Sequence, residues 1–210
     1  MIKVLIADDH AIVRGGLKQI LAETSDIAVA GEAGHGQEVL DKLNKMSYDV
    51  VVLDISMPGR SGLDILAQLK REFPRTRVLI LSMHPEEQYA MRALKAGASG
   101  YLTKESVPDE LIAAIRKVSA GRKYISSALA ERLAMAWEDG RERSVHERLS
   151  DREYEIMCMI ARGKSVKEIA VELGLSIKTV STYRSRILTK TDMKNNAEII
   201  YYAIKNNIID

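Results

Sequence analysis

The chain has 210 residues, 46% hydrophobic and 29% charged: one large or two ordinary globular domains, not a disordered tail or a disulfide-stapled miniprotein. A lone Cys158, no run near the ~18 apolar residues of a membrane helix, and an N-terminus reaching acid at Asp8 predict a cytoplasmic protein with no membrane contact. Net charge is only +2, but Lys+Arg against Asp+Glu stands at 16 to 16 over residues 1–122 and 11 to 8 over 148–210.

Strands are predicted at Lys3–Ala7, Ile27–Gly31, Val50–Leu53, Val78–Leu81 and Gly100–Leu102. Most are continuous apolar runs, as in strands buried on both faces of a parallel sheet. Helical spacing marks Ile12–Leu21, Gly36–Leu43, Leu63–Leu69, Glu87–Lys95 and Asp109–Val118, with starts at Ser61 and Pro108-Asp109. Five β/α repeats predict a five-stranded parallel, doubly wound α/β domain over residues 1–122. Ligands in such sheets bind at the carboxyl ends of the strands.

Gly121 closes this unit. Residues 123–147 read as a linker, with an amphipathic helix over Ser126–Trp137 followed by the charge-dense Glu138–Arg148. From Leu149 the pattern is all-α, so residues 148–210 form a second, four-helix domain. Ser150 with Glu153 and Ser165 with Glu168 are capping boxes, and Gly163 and Gly174 are helix stops. Ser176 caps a third helix running to Lys190, and Asn196–Lys205 is a fourth. Gly174-Leu175 joins the second and third, a helix-turn-helix signature whose second helix reads a DNA groove. Residues 176–191 carry Lys178, Arg184, Arg186 and Lys190 without one acid, the electrostatic footprint of a polyanion site.

Chemistry gathers at the strand ends. Asp8 and Asp9 end the first strand and Asp54 the third, and these strands neighbour each other in such a fold. Three close carboxylates raise each other's pKa and call for a cation. An all-oxygen donor set favours Mg2+ over zinc. Ser82 ends the fourth strand and Lys104 follows the fifth, bringing a hydroxyl and an ammonium to the same edge. That set suits a transferring phosphoryl group, where catalysis is mostly positioning and charge neutralisation. His84, two residues beyond Ser82, could touch the phosphoryl group and tune its hydrolysis, though a solvated loop histidine is the plainer reading, while His10, His35 and His146 show no ligand spacing.

Asp8-Asp9, Asp54 followed by Met57-Pro58-Gly59, Ser82 and Lys104 resemble the receiver domain of bacterial two-component response regulators. The resemblance implies that Asp54 is the phosphoacceptor, phosphorylated by a sensor histidine kinase. It implies that Asp9, Asp54 and the backbone carbonyl of Ser56 ligate Mg2+, with Asp8 acting through a bound water. Lys104 would pair with the phosphoryl oxygens, Ser82 would move to bond them, and Tyr101 would turn inward behind it as a switch. Slow self-dephosphorylation comes with such a site without making the protein a dedicated enzyme. Many receivers have proline after the lysine, whereas this chain has Glu105, and a non-proline cis bond there would cost ~3 kcal/mol.

Residues 148–210 are similar to the DNA-binding domain of the NarL/FixJ and LuxR regulators. The carrying residues are Leu149-Ser150-Asp151-Arg152-Glu153, Gly163-Lys164-Ser165, Lys167-Glu168-Ile169-Ala170, Leu173, Ser176, Lys178-Thr179-Val180 and Ile187-Leu188. Helical spacing predicts a buried seam of Ile169, Leu173, Val180, Ile187 and Leu188. The resemblance then places Ser181, Thr182 and Ser185 against base edges, with Lys178, Thr179, Tyr183, Arg184 and Arg186 as phosphate contacts. The spacing equally allows Arg184 a partly buried, structural role. The last helix, with Ile199, Ile200, Tyr201, Tyr202 and Ile204, is apolar on more than one face and implies a homodimer contact. The whole chain thus resembles a phosphorylation-activated transcription factor on double-stranded promoter DNA, with RNA polymerase as a further partner. Its rivals are a phosphorylation-independent DNA binder with a scaffold receiver, and an aspartate-nucleophile phosphatase. Such phosphatases place a second aspartate two residues after the first, where this chain has Ser56.

Overall fold

The computed structural model describes residues 1–57, 61–106, 108–127, 129–131, 144–206 and 208–209. Contacts divide the chain into two compact units, Met1–Ala134 and Met135–Asp210. In the first, strands and helices alternate: β1 (Ile2–Ala7), α1 (Ala11–Ala22), β2 (Ile27–Ala33), α2 (Gly36–Lys45) and β3 (Val50–Leu53). They continue as α3 (Gly62–Glu72), β4 (Arg77–Ser82), α4 (Glu86–Lys95), β5 (Gly100–Thr103) and α5 (Pro108–Ser119). The strands form one parallel sheet in the order β2-β1-β3-β4-β5, so the chain winds outward in both directions from β1. All four residues of β3 are buried, as expected of a central strand covered on both faces. Val4, Ile6, Val50, Val52 and Leu79 pack with Leu111, Ile115 and Val118 of α5 in one core.

Register decides what the strand ends do. Ala7 lies opposite Leu53, and Leu53 opposite Ile80. The next residues of β1 and β3, Asp8 and Asp54, therefore emerge side by side, with the Asp54 N–H donating to the Ala7 carbonyl at 2.9 Å. Ser82 lies opposite Thr103, which puts Lys104 at the same edge. Ser61 caps α3, its hydroxyl accepting from the Leu63 N–H at 3.3 Å. Gly62 follows because nothing larger fits: a Cβ there would lie 2.3 Å from the Asp54 carbonyl oxygen and 2.6 Å from the Ile55 Cα. Every described peptide bond is trans, Lys104–Glu105 included.

The first body reaches beyond residue 122, where the reading by composition ended it. The Tyr124 N–H donates to the Ser99 carbonyl at 2.9 Å, and Tyr124 makes a parallel bridge to Gly100 on edge strand β5. Ser126 Oγ donates to Glu86 Oε2 at 2.5 Å and accepts from the Leu129 N–H at 3.0 Å, and Leu129 is buried. An open sheet edge recruits such a segment by backbone pairing, which composition does not register. The helix predicted over Ser126–Trp137 is described only to residue 131. Residues 132–143, and Pro58-Gly59 of the motif after Asp54, lie outside the described residues.

The second unit opens with a 3-10 turn (Val145–Arg148), followed by α6 (Asp151–Ala161), α7 (Val166–Glu172), α8 (Ile177–Thr191) and α9 (Asn196–Lys205). Both predicted capping boxes form. Ser150 and Ser165 accept from the N–H groups of Glu153 and Glu168, whose carboxylates return the bond at 2.7 Å each. Gly163 and Gly174 take positive φ, 83° and 62°, and stop α6 and α7. Ile169, Leu173, Val180 and Ile187 are buried as the seam requires, whereas Leu188 is only half-buried. His146 lies in the 3-10 turn, its Nδ1 2.9 Å from the Tyr202 hydroxyl of α9, so this unit too takes in residues read as linker.

Because Gly62 touches the backbone of Asp54, Gly62→Ala should cost about 1–3 kcal/mol of stability from overpacking. Urea denaturation compares it with the wild type, and an unchanged midpoint would disprove the tight fit.

Candidate functional site

The ends of two strands, β1 and β3, supply the acids, and the end of a third, β5, supplies the cation that holds them. Asp8 and Asp54 are each 2% exposed. The Lys104 ammonium sits between them, 2.6 Å from Asp8 Oδ2 and 2.7 Å from Asp54 Oδ2. The Ser56 N–H donates to Asp54 Oδ1 at 3.1 Å, so both oxygens of Asp54 are engaged. Burial, the largest influence, pushes the Asp54 carboxyl above its ordinary pKa against the pull of the Lys104 ammonium. For Lys104, burial is the largest single influence and acts downward, but the facing Asp54 and Asp8 carboxylates together outweigh it and the pKa is raised.

Asp8, Asp9, Asp54 and His10 each bring one ligand atom within 4.8 Å of the others. Asp9 Oδ1 is buried and meets the His10 ring nitrogen at 2.9 Å, but without the alignment of a hydrogen bond. A carboxylate oxygen in that state, beside two more carboxylates, fits a hard divalent cation such as magnesium. His10 joins this group although its spacing pointed to no ligand role. It directly follows the tandem acids, and its Nδ1 lies 2.9 Å from Asp9 Oδ1 and 3.3 Å from Asp8 Oδ1. Spacing rules for ligands on one helix do not cover a turn that folds straight back.

The other side of the edge is a hydrogen-bonded relay. Ser82, fully buried, accepts the His84 N–H at 3.1 Å. Tyr101 is turned inward, 1% exposed, and its hydroxyl donates to the His84 carbonyl at 2.8 Å. His84 is not a solvated loop histidine. Its Nε2 lies 2.9 Å from Ser56 Oγ, and its ring stacks on Tyr89 at 4.4 Å between centroids. Nothing local in the sequence pairs Ser56, His84 and Tyr89, which come from three different segments.

In the second unit, α8 buries Val180 and Ile187 and exposes Lys178, Ser181, Thr182, Ser185, Arg186 and Thr189, while Thr179 and Tyr183 are half-covered. Lys178, Thr179, Thr182, Tyr183 and Arg186 line one shallow concavity, with the Arg186 guanidinium 6.0 Å from the centre of the Tyr183 ring. Arg184 takes the structural role its spacing allowed: its Nε donates to Asn196 Oδ1 of α9 at 2.7 Å. Lys190, the last cation of the run, is bound to buried Glu153 at 2.6 Å. Thr189 shares the exposed face and was missed by the sequence reading because it lies beyond the motif.

Two family models match the chain: "Response regulator receiver domain" over residues 4–116, and "Bacterial regulatory proteins, luxR family" over residues 147–203. The chain belongs to the NarL/FixJ response regulators, in which a receiver domain is joined to a LuxR-type helix-turn-helix domain. It is therefore a two-component response regulator that regulates transcription by binding DNA. It is 37% identical to the response regulator UvrY of Escherichia coli (strain K12) over 209 residues, 99% of this chain and 96% of UvrY. Identity is also 37% to the oxygen regulatory protein NreC of Staphylococcus haemolyticus over 215 residues, 99% of each. Among solved structures, RcsB of Salmonella typhimurium superposes with a TM-score of 0.60 at 28% identity, covering 97% of this chain and 98% of RcsB. An RcsB–DNA complex gives 0.60 at 27% identity, covering 100% and 99%.

Lys104→Ala leaves two buried carboxylates without their cation, which should cost about 3 kcal/mol near neutral pH. The folded-state pKa of Asp54 then stands further above its unfolded value, so protonation favours folding. Stability of the variant, measured in EDTA, should rise as pH falls through that raised pKa and level off below the ordinary carboxylate range. A loss that is the same at every pH would refute this account of the site.

Proposed function

We propose that Asp54 accepts a phosphoryl group from the phosphohistidine of a sensor kinase and that this controls DNA binding by the second domain. The observation that carries the reading is the Lys104 ammonium bridging Asp8 and Asp54 at 2.6 and 2.7 Å, with buried Ser82 on the same strand edge. A carboxylate oxygen of Asp54 attacks phosphorus, the phosphorus–nitrogen bond breaks, and an acyl phosphate forms. Lys104 is placed to neutralise the charge carried on the phosphoryl oxygens, and the Ser82 hydroxyl to donate to one of them. Asp9, Asp54 and the Ser56 carbonyl would hold Mg2+, with Asp8 acting through a water. The ion supplies charge neutralisation for the incoming phosphoryl group.

Transmission runs through a short segment. When Ser82 turns to the phosphoryl group, it releases the backbone of His84, which Tyr101 also holds. Two residues on, Glu86 takes the Ser126 hydroxyl at the start of the segment leaving the receiver. The response is a dimer on promoter DNA in the bacterial cytoplasm. The exposed Tyr201 and Ile204 of α9 offer the apolar contact, opposite Ile199 and Ala203, which are buried in its own core. Two linked half-sites give the avidity that one small helix-turn-helix unit lacks. Where the dimer sits relative to RNA polymerase sets activation or repression.

Incubation with Mg2+ and acetyl phosphate should add one hydroxylamine-labile phosphoryl group to the wild type and none to Asp54→Asn, read by intact mass. No adduct on folded wild type would make the receiver a scaffold and the DNA binding independent of phosphorylation. Lys178→Ala should weaken binding to all sequences and flatten the salt dependence by roughly one unit of slope, measured by titration across salt concentrations.

A further inference from the structure

The outward stripe of α8 has its hydroxyl protons already engaged. Opposite buried Val180 and Ile187, one helical face presents Lys178, Thr182, Ser185 and Thr189, all exposed. Thr182 Oγ1 donates to the Lys178 carbonyl at 2.9 Å, and Ser185 Oγ donates to the Ser181 carbonyl at 3.1 Å. Thr189 Oγ1 repeats the pattern one turn on, donating to the Ser185 carbonyl at 3.0 Å. A hydroxyl has one proton and two lone pairs. With the proton committed to the helix backbone, each of these groups shows acceptors alone to whatever meets the stripe.

This matters because the edges of bases in the major groove differ in which polar groups they show. Adenine N6 and cytosine N4 are donors, whereas guanine O6 and N7 and thymine O4 are acceptors. An acceptor-only hydroxyl matches the first pair. Against the second it must break its bond to the helix or face an acceptor with an acceptor. We propose that Thr182 and Ser185 are specificity-determining residues that read the exocyclic amine of adenine or cytosine on the contacted strand and disfavour guanine and thymine there. Lys178 is the donor of the same stripe and takes phosphate or an acceptor edge. The inference rests on the reading of α8 as the helix that enters DNA.

The test uses the full chain, phosphorylated with acetyl phosphate, and a duplex recovered by selection from a random library. Adenines in each half-site are replaced one at a time by purine, and cytosines by 2-pyrimidinone, each lacking only the exocyclic amine. Wild type should lose roughly five- to tenfold in affinity at one or two positions per half-site. That loss should disappear in Thr182→Val or in Ser185→Ala, a coupling that a general weakening of the duplex does not produce. Both residues are exposed, and circular dichroism checks that the variants fold. If Lys178→Ala weakens binding but no amine deletion couples to residue 182 or 185, the amine reading is overturned and the helix assignment stands. If Lys178→Ala binds as tightly as wild type with the same salt dependence, α8 does not contact DNA and both are overturned.

Discussion

Two carboxylates buried against one ammonium govern the receiver. Asp8 and Asp54 sit in the sheet edge at 2% exposure, where an unpaired ionised carboxylate would be costly. Lys104 offsets part of that cost and leaves a net negative charge, with Asp9 and His10 at its rim. Such a cluster could hold a metal ion. The rest of the domain holds this arrangement still. Parallel register puts Asp8 beside Asp54, and Gly62 lets α3 start against the Asp54 carbonyl. The Ser56 N–H turns Asp54 so that one oxygen faces Lys104.

The DNA-binding unit uses charge differently. Glu153 belongs to the capping box of α6 and also binds Lys190 near the end of α8. Burial raises its pKa, but the Lys190 ammonium and the bonds to Ser150 outweigh this and hold it below the ordinary value. Arg152 pairs with Glu155 at 2.6 Å and reaches the Leu173 carbonyl, tying α6 to the turn before α8. Arg184 fastens α8 to α9 through Asn196. Charges pinned on the inner side of the helix leave Lys178, Arg186 and a stripe of hydroxyls on the outer side. Losing Lys190 or Arg152 would leave the buried carboxylate of Glu153 or Glu155 without its cation.

Elements set by short-range chemistry were legible in the sequence. Both capping boxes pair residues three apart, so Ser150 with Glu153 and Ser165 with Glu168 announce two helix starts without any fold. Val50–Leu53 reads as a buried strand because four consecutive branched residues suit a central position, and its bounds match the structure. Asp8, Asp54, Ser82 and Lys104 were legible for a different reason. Each stands at the end of an apolar run, where parallel strands deliver their side chains to one edge. The half-buried Leu188 shows the weakness of spacing alone, since at ~100° per residue it lies at the margin of the face that buries Val180, Ile187 and Thr191.

The sequence by itself determined the two folds, the strand-edge acids and the amphipathic faces of α8, because propensity, capping and periodicity act within a few residues. Only the tertiary structure decided that Lys104 lies between Asp8 and Asp54, that His84 stacks on Tyr89 beside Ser56, and that Tyr124 and Ser126 belong to the receiver body. It alone showed that Arg184 is bound to Asn196. Each of these contacts joins segments far apart in the chain or on different elements. Their partners are chosen by strand register and helix packing, quantities that no local window of residues contains.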